Sequence, residues 1–502
     1  MELLSNILLG LETALSWHNL FYCFVGVSLG TLLGVIPGIG VLAAMSMLFP
    51  ITFYLEPDTA LITLAGIWYG TTYGGSTSSI LLNVPGTPAN AVTCLDGYPM
   101  AQQGRAGTAL LMTTVASFFG ASFGIILLMT LSPIIAAYAL RFGDAEFFSL
   151  ILLGLVTAAS ISDGSAMKGL AMTIFGIMIG LVGADLNSGI YRFTFGRLEL
   201  VDGVSIVALA MGLFGVTEVI SSIGKVHKNA LHPKELTLKS MMPDREEMNK
   251  TWMPMIRGSS IGSFFGALPG AGPGIAAFMA YAVEKRVSRY PERFGKGAIE
   301  GIMGPEAANN AADQTAFIPT LTLGIPGSVT MALMLGVLMV HGITPGPNMI
   351  AQQPSLFWGL VMSFWIGNLM LLILNIPFVG LWVRLLSIPY HLLFPAVLIF
   401  IAIGTYSLSN SPFDIWSVAF FGLLGYLMRW ARLSAAPLLL GFVLGPMMEE
   451  HFQRAMLLAR GDFSTFVVRP ISGVLLAITA VVFLWSVMSG LSRRVPKAVD
   501  AE

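Results

Sequence analysis

Charge is what this chain of 502 residues has least of: 11% of its residues are charged and 55% are hydrophobic. Soluble domains carry about 25% charged residues, so a soluble globular protein is excluded. Formal net charge is -1, which argues against a nucleic-acid partner. Two cysteines, Cys23 and Cys94, are too few for a disulfide framework. The six histidines are scattered without HExxH or paired spacing, which gives no histidine-based metal site. A GxxxxGK[ST] phosphate loop is missing too, so an ATP-driven scheme would need another subunit. Residues 1–17 hold acids but no Lys or Arg, unlike the basic start of a signal peptide.

Long apolar runs are there in abundance. They recur from Phe21 to Met488, each near the roughly 20 residues that a helix needs to cross a bilayer. The expected fold class is an all-α integral membrane protein with about 12 membrane elements, since β-barrels show short alternating segments instead. The expected organisation is an interfacial N-terminal segment (1–19), a first membrane repeat (20–224), a polar cytoplasmic linker (225–257), a second repeat (258–490) and a cytoplasmic tail (491–502).

The repeats are read from residues. With Gly26 set against Gly258, the positions Ser28, Gly30, Gly34, Pro37, Gly38 and Gly40 meet Ser260, Gly262, Gly266, Pro269, Gly270 and Gly272. Further on, 83-NVPGTPANA-91 meets 324-GIPGSVTMA-332, and 100-MAQQ meets 350-IAQQ. No Lys or Arg precedes Arg105, whereas the second PG segment has basic stretches on both sides. Positive residues mark cytoplasmic loops. Both flanks of each PG segment thus share a side, opposite for the two copies, as in inverted repeats with re-entrant hairpins or broken helices.

A broken helix in a bilayer frees backbone groups that need partners, and discontinuous helices offer N–H groups to anions and carbonyls to cations. Glycines at i, i+4, i+8 (Gly26, Gly30, Gly34; Gly258, Gly262, Gly266) suit close helix packing. Pro37-Gly38 and Pro269-Gly270 are either packing kinks or parts of an ion site. Around the second PG pair, candidate substrate ligands are Ser76, Thr77, Ser78, Asn83, Pro85, Gly86, Thr87, Pro326, Gly327 and Ser328. Candidate ion ligands are Asn309, Asn310, Asp313 and Thr315, with Na⁺ expected at Asn310 and Asp313, because hard cations prefer oxygen ligands. Asp313 and Glu306 could instead cap helices at the interface. Neither motif holds Lys or Arg, so an anionic substrate would be met by N–H groups, hydroxyls and amides; Arg105 and Lys168 are too loosely placed to serve.

The set 34-GVIPGIG, 74-GGSTSSILLNVPGTPAN, 266-GALPGAGPG, 304-GPEAANNAADQ and 325-IPGS resembles the large membrane subunit of tripartite tricarboxylate transporters, the TctA family, over about residues 20–480. The resemblance implies a bacterial inner-membrane subunit that works with a small membrane subunit and a periplasmic solute-binding protein. It implies secondary transport of a citrate-like di- or tricarboxylate driven by Na⁺ or H⁺, without other cofactors. It also implies an elevator-type fold similar to the ion-transporter superfamily, and a homodimer by the same analogy. Two readings from other classes stand beside it. A membrane-embedded hydrolase would need a catalytic pair such as Asp163 with Asp185, or Ser76 with a histidine. A passive anion channel would need neither.

Overall fold

A computed structural model describes residues 2–36, 39–161, 165–185, 188–222, 241–268, 271–385 and 390–492. Helices make up most of the described chain, with one two-stranded hairpin, Gly183–Ala184 paired to Tyr191–Arg192. Four helices are long and apolar enough to cross a membrane, and six shorter apolar helices accompany them among the described residues. Pro37-Gly38 and Pro269-Gly270 lie outside the described residues, as do 225–240 of the expected linker and 493–502 of the expected tail.

The chain folds as two compact units, residues 1–140 with 205–426, and 141–204 with 427–502. In the first, α1 (Glu2–Ala14) lies against a later helix, Pro354–Asn375, where Gly10 faces the Trp358 backbone. Ser16 caps α2 (Trp17–Val35) by accepting from Asn19 N. α2 ends before the first PG segment, and α3 (Val41–Leu48) begins after it. α4 (Pro57–Leu82) is buried from Thr59 to Leu81 and stops at Asn83, a left-handed residue at φ 56°. α5 (Ala91–Met100) and α6 (Ala106–Ala139) follow.

In the second half of the sequence, α7 (Arg245–Ala267) starts with a capping box between Asp244 and Glu247. The polar residues 245–257 are therefore the first turns of a helix that runs on into the glycine stripe. α8 (Gly272–Val287), α9 (Glu300–Thr315) and α10 (Phe317–Leu323) come next. α10 ends on left-handed Gly324 at φ 70°, and Ser328 caps α11 (Val329–Val340). Glu284 of α8, nearly fully buried, takes a two-pronged ion pair from Arg257 of α7.

The glycine stripes pack as their spacing predicts. Gly26, Gly30 and Gly34 of α2 press on the backbone of Thr63, Ile67 and Thr71 of α4. Gly258, Gly262 and Gly266 of α7 press on Gly304, Ala308 and Ala312 of α9 in the same way. The partners on α4 and α9 are each 241 positions apart, the offset that sets 83-NVPGT against 324-GIPGS. A methyl placed on Gly86 would meet the Gly34 carbonyl at 3.1 Å, and one on Gly327 would meet the Gly266 carbonyl at 3.1 Å. One contact pattern thus occurs twice, in one register.

The second unit is smaller. Helix Ala166–Gly180 lies against Ala435–Leu458, with Gly176 on Leu438 and Gly441 on Thr173. Arg469 pairs with buried Glu146 at 2.9 Å, and Arg192 pairs with both Asp185 and Glu449.

Candidate functional site

The polar core of the first unit gathers on α9, whose residues 301–315 are all buried. A helix this rich in amides and acids can be buried only if its polar atoms find partners. Glu306 finds five. Its Oε1 accepts from Ser76 Oγ of α4 at 2.9 Å, from Thr93 Oγ1 of α5, and from Asn90 Nδ2 at 3.4 Å. Its Oε2 accepts from Ser117 Oγ of α6 at 3.2 Å and Asn309 Nδ2 at 3.4 Å. All five donors are neutral, and no Lys or Arg joins the cluster among the described residues. Glu306 and Asp313 are inside the helix and buried, so neither caps a helix at an interface.

The cluster reaches the first broken segment. Thr87 Oγ1 donates to Asn90 Oδ1 at 2.6 Å, and Asn90 Nδ2 donates to Ser76 Oγ at 3.0 Å. Asn310 Nδ2 donates to the Glu306 carbonyl at 2.9 Å and to Asn309 Oδ1 at 2.5 Å. Of the expected ligands, Ser76, Thr87, Asn309 and Asn310 therefore come together around Glu306. Ser78 and Thr315 spend their hydroxyl protons on carbonyls of their own helices. Thr77 is buried on α4, while Asn83 and Pro85 are exposed and Gly86 is buried. Pro326 and Gly327 are buried at the second tip, where Gly327 N reaches Thr320 Oγ1 at 3.4 Å, and Ser328 is taken up by its cap.

Asp313 stands in a different environment. It is 6% exposed, and its Oδ2 has one long contact, 3.5 Å, with Thr72 Oγ1 of α4. Among the described residues its Oδ1 has no hydrogen-bond partner, nor does Oε1 of the neighbouring Gln314 or the Tyr69 hydroxyl, one turn from Thr72. Positions 72 and 313 are themselves 241 apart, so this contact joins the two equivalent helices at equivalent positions. An uncompensated buried carboxylate oxygen is costly, and a cation or proton is what would satisfy it.

Sequence reasoning named Ser76, Thr87 and Asp313 as ligands, saw Asn90 among the polar residues of the first motif but gave it and Glu306 no ligand role, and did not name Thr93 or Ser117. Asn90 and Thr93 sit three residues apart at the start of α5, a spacing that faces one way on a helix, but nothing local points to a partner more than 200 residues on. Arg105 and Lys168 go elsewhere, to Glu247 and to the Ala431 carbonyl. Asp163 lies outside the described residues, and Asp185 is held by Arg192.

Comparison with known proteins places this arrangement. No solved structure matches the chain. An "uncharacterized 52.8 kDa protein in TAR-I ttuC' 3'region" of Agrobacterium vitis is 50% identical over 478 residues, 95% of each chain. A second protein of that organism, "uncharacterized protein in TAR-II ttuC' 3'region", is 53% identical over 230 residues, 46% of this chain and 95% of its own length. The model of the tripartite tricarboxylate transporter TctA family matches residues 20–440. With its apolar helices the chain is a multi-pass membrane protein of a transporter family, not of an enzyme family, and it belongs to the tripartite tricarboxylate transporter TctA family.

Proposed function

We propose that the chain is the large membrane subunit of a secondary carrier that imports a di- or tricarboxylate, coupled to Na⁺ or H⁺. The observation that carries this reading is Asp313: a buried carboxylate with one bare oxygen, where equivalent positions of two matching helices meet. An ionisable group in a membrane segment with nothing to pair it is a functional group by default. Occupied by a cation or proton, Asp313 ties α9 to α4 through Thr72; unoccupied, it favours their separation. That difference couples ion binding to a conformational change. Asn310, one turn before Asp313, completes the proposed oxygen set for Na⁺.

The substrate is held between the tips Pro85-Gly86-Thr87 and Pro326-Gly327-Ser328. Backbone N–H groups and hydroxyls there bind carboxylates without Lys or Arg. The recurrence of the glycine contacts at one offset supports two repeats, and the opposite Lys/Arg bias of their flanks supports inverted topology; by the family resemblance, one part moves past a fixed part as in an elevator. A small membrane subunit and a periplasmic solute-binding protein complete the transporter in the bacterial inner membrane, and the chain pairs with a second copy.

The test is uptake of radiolabelled citrate into proteoliposomes containing all three subunits, with an imposed Na⁺ gradient, an imposed H⁺ gradient, or neither. Gradient-driven accumulation above the external concentration is expected, together with counterflow. Flux that only equilibrates, without saturation, means a passive channel and overturns the reading.

A further inference from the structure

The two buried acids of α9 are satisfied so differently that they cannot share one task. Glu306 receives five neutral donors on two oxygens, which fills the roughly four lone-pair sites of a carboxylate. A cation could reach it only by displacing one of them. Asp313 has one long contact and one bare oxygen.

The donors to Glu306 from the start of α5 are matched by a contact in the reverse sense. Asp96, one turn beyond Thr93 on α5 and fully buried, accepts on Oδ1 from the backbone N–H groups of Gly295, Gly297 and Ala298, at 2.9, 2.8 and 2.8 Å. Its Oδ2 accepts from the Tyr281 hydroxyl at 3.0 Å. Residues 295–298 lead directly into α9, so the acid of α5 holds the start of α9 and the acid of α9 holds the start of α5. Gly295 and Gly297 have φ of 82° and 99°, the positive values that let successive N–H groups turn towards one oxygen.

From these reciprocal contacts we infer that Glu306 and Asp96 clamp α5 to α9, making Glu306 a positioning residue for the substrate tip Pro85-Gly86-Thr87 and not the ion-coupling group. This rests on the carrier reading above. The link to the tip is explicit: Glu306 holds Asn90 and Ser76, and Asn90 holds Thr87. Loosening the clamp lets the tip shift, which weakens substrate binding but leaves the ion at Asp313 alone.

Two measurements test it. In proteoliposomes of the three-subunit transporter, Glu306→Gln keeps one acceptor oxygen but loses the charge. Citrate KM is expected to rise roughly 3- to 10-fold, the worth of about one or two hydrogen bonds, with the half-saturating Na⁺ or H⁺ concentration unchanged. Loss of cation dependence in Glu306→Gln would make Glu306 the coupling group and overturn the inference. If Asp313→Asn still shows cation-driven uptake, it is the coupling reading that fails, and the clamp is judged on the second measurement.

That second measurement needs no transport. Cys94 follows Thr93 on α5 and is half-buried, while Cys23 is fully buried and serves as the internal reference. Maleimide labelling of Cys94, followed by intact mass with Cys94→Ala as the blank, is expected to quicken at least about fivefold in Glu306→Ala and in the near-isosteric Thr93→Val. Thr93→Val keeps the test open if Glu306→Ala does not fold. A labelling rate equal to wild type in a folded variant of either kind overturns the clamp.

Discussion

Replacing Asp313 with Asn gives a crossing of two stabilities that no purely structural role for this residue produces. Without a bound cation the wild-type chain carries a buried carboxylate oxygen with no partner, a defect that costs about 1–3 kcal/mol. Asn keeps the shape and removes the charge, so in choline Asp313→Asn should melt above the wild type. A cation at 100 times its Kd returns about 2.7 kcal/mol to the protein that binds it. Globular proteins unfold with about 2.1 cal/mol/K of entropy per residue. For a unit of roughly 360 residues, a gain of that size raises the melting temperature by roughly 3–4 °C. In saturating Na⁺ the wild type should therefore rise by that amount and overtake or draw level with the variant, whose own melting temperature stays put. The assay is a thermal melt of detergent-purified protein in Na⁺, Li⁺, K⁺ and choline at constant ionic strength. A rise only in Na⁺, lost in Asp313→Asn, places the ion site; an unchanged wild type alongside a more stable variant selects the proton. The reasoning is refuted if Asp313→Asn melts below the wild type in choline and shows the same Na⁺ rise.

Other consequences follow from packing and pairing. In Gly262→Ala a methyl would run into the Ala308 backbone of α9, and overpacking of this kind costs about 1–3 kcal/mol. Gly274→Ala, whose methyl finds its nearest atoms at 4.0 Å, should stay level or gain about 0.5 kcal/mol; the difference is read from paired thermal melts. Asp96→Asn loses the charge on three backbone bonds and should cost about 1.5–3 kcal/mol, with faster amide hydrogen exchange at residues 295, 297 and 298 specifically. Arg469→Met leaves Glu146, 6% exposed, without its cation. Because Arg469 is half exposed the cost is about 1 kcal/mol, and the salt dependence of melting should flatten.

Local signals carried the class and the framework of this molecule, and they stopped where the contacts became long-range. Helix packing is legible because small residues at i, i+4 and i+8 impose it whatever the partner, and Gly26 to Gly34 and Gly258 to Gly266 pack backbone to backbone. Breaks were legible at the pairs Pro85-Gly86 and Pro326-Gly327, but not that the helices before them end on left-handed Asn83 and Gly324. Apolar-run counting divides the chain less cleanly: α4 and α9 are buried along most of their length, yet they carry hydroxyls, amides and acids that lower their hydropathy. The polar stretch before residue 258 reads as a linker for the same reason, although from Arg245 it is already α7.

Asp313 was legible as an acid in a membrane segment, but Glu306 was not separable from a helix cap. The difference between them lies in their partners, and those come from positions 72, 76, 90, 93 and 117. Nothing in 304-GPEAANNAADQ says that one acid is filled with donors and the other left open. Yet the proposed duplication supplies part of the answer. Position 306 corresponds to Ala65 in the first copy and position 313 to Thr72, so both acids belong to the second copy alone. At 72 and 313 the equivalent positions meet, and the copies differ there by one carboxylate facing one hydroxyl. At 306 the acid reaches instead to Asn90 and Thr93 at the start of α5. One helix, α9, thus carries two buried acids seven residues apart, one filled with donors and one with a bare oxygen. In the proposed carrier, that pairing would let ion binding act on the substrate tip without dissolving the contact that holds the tip in place.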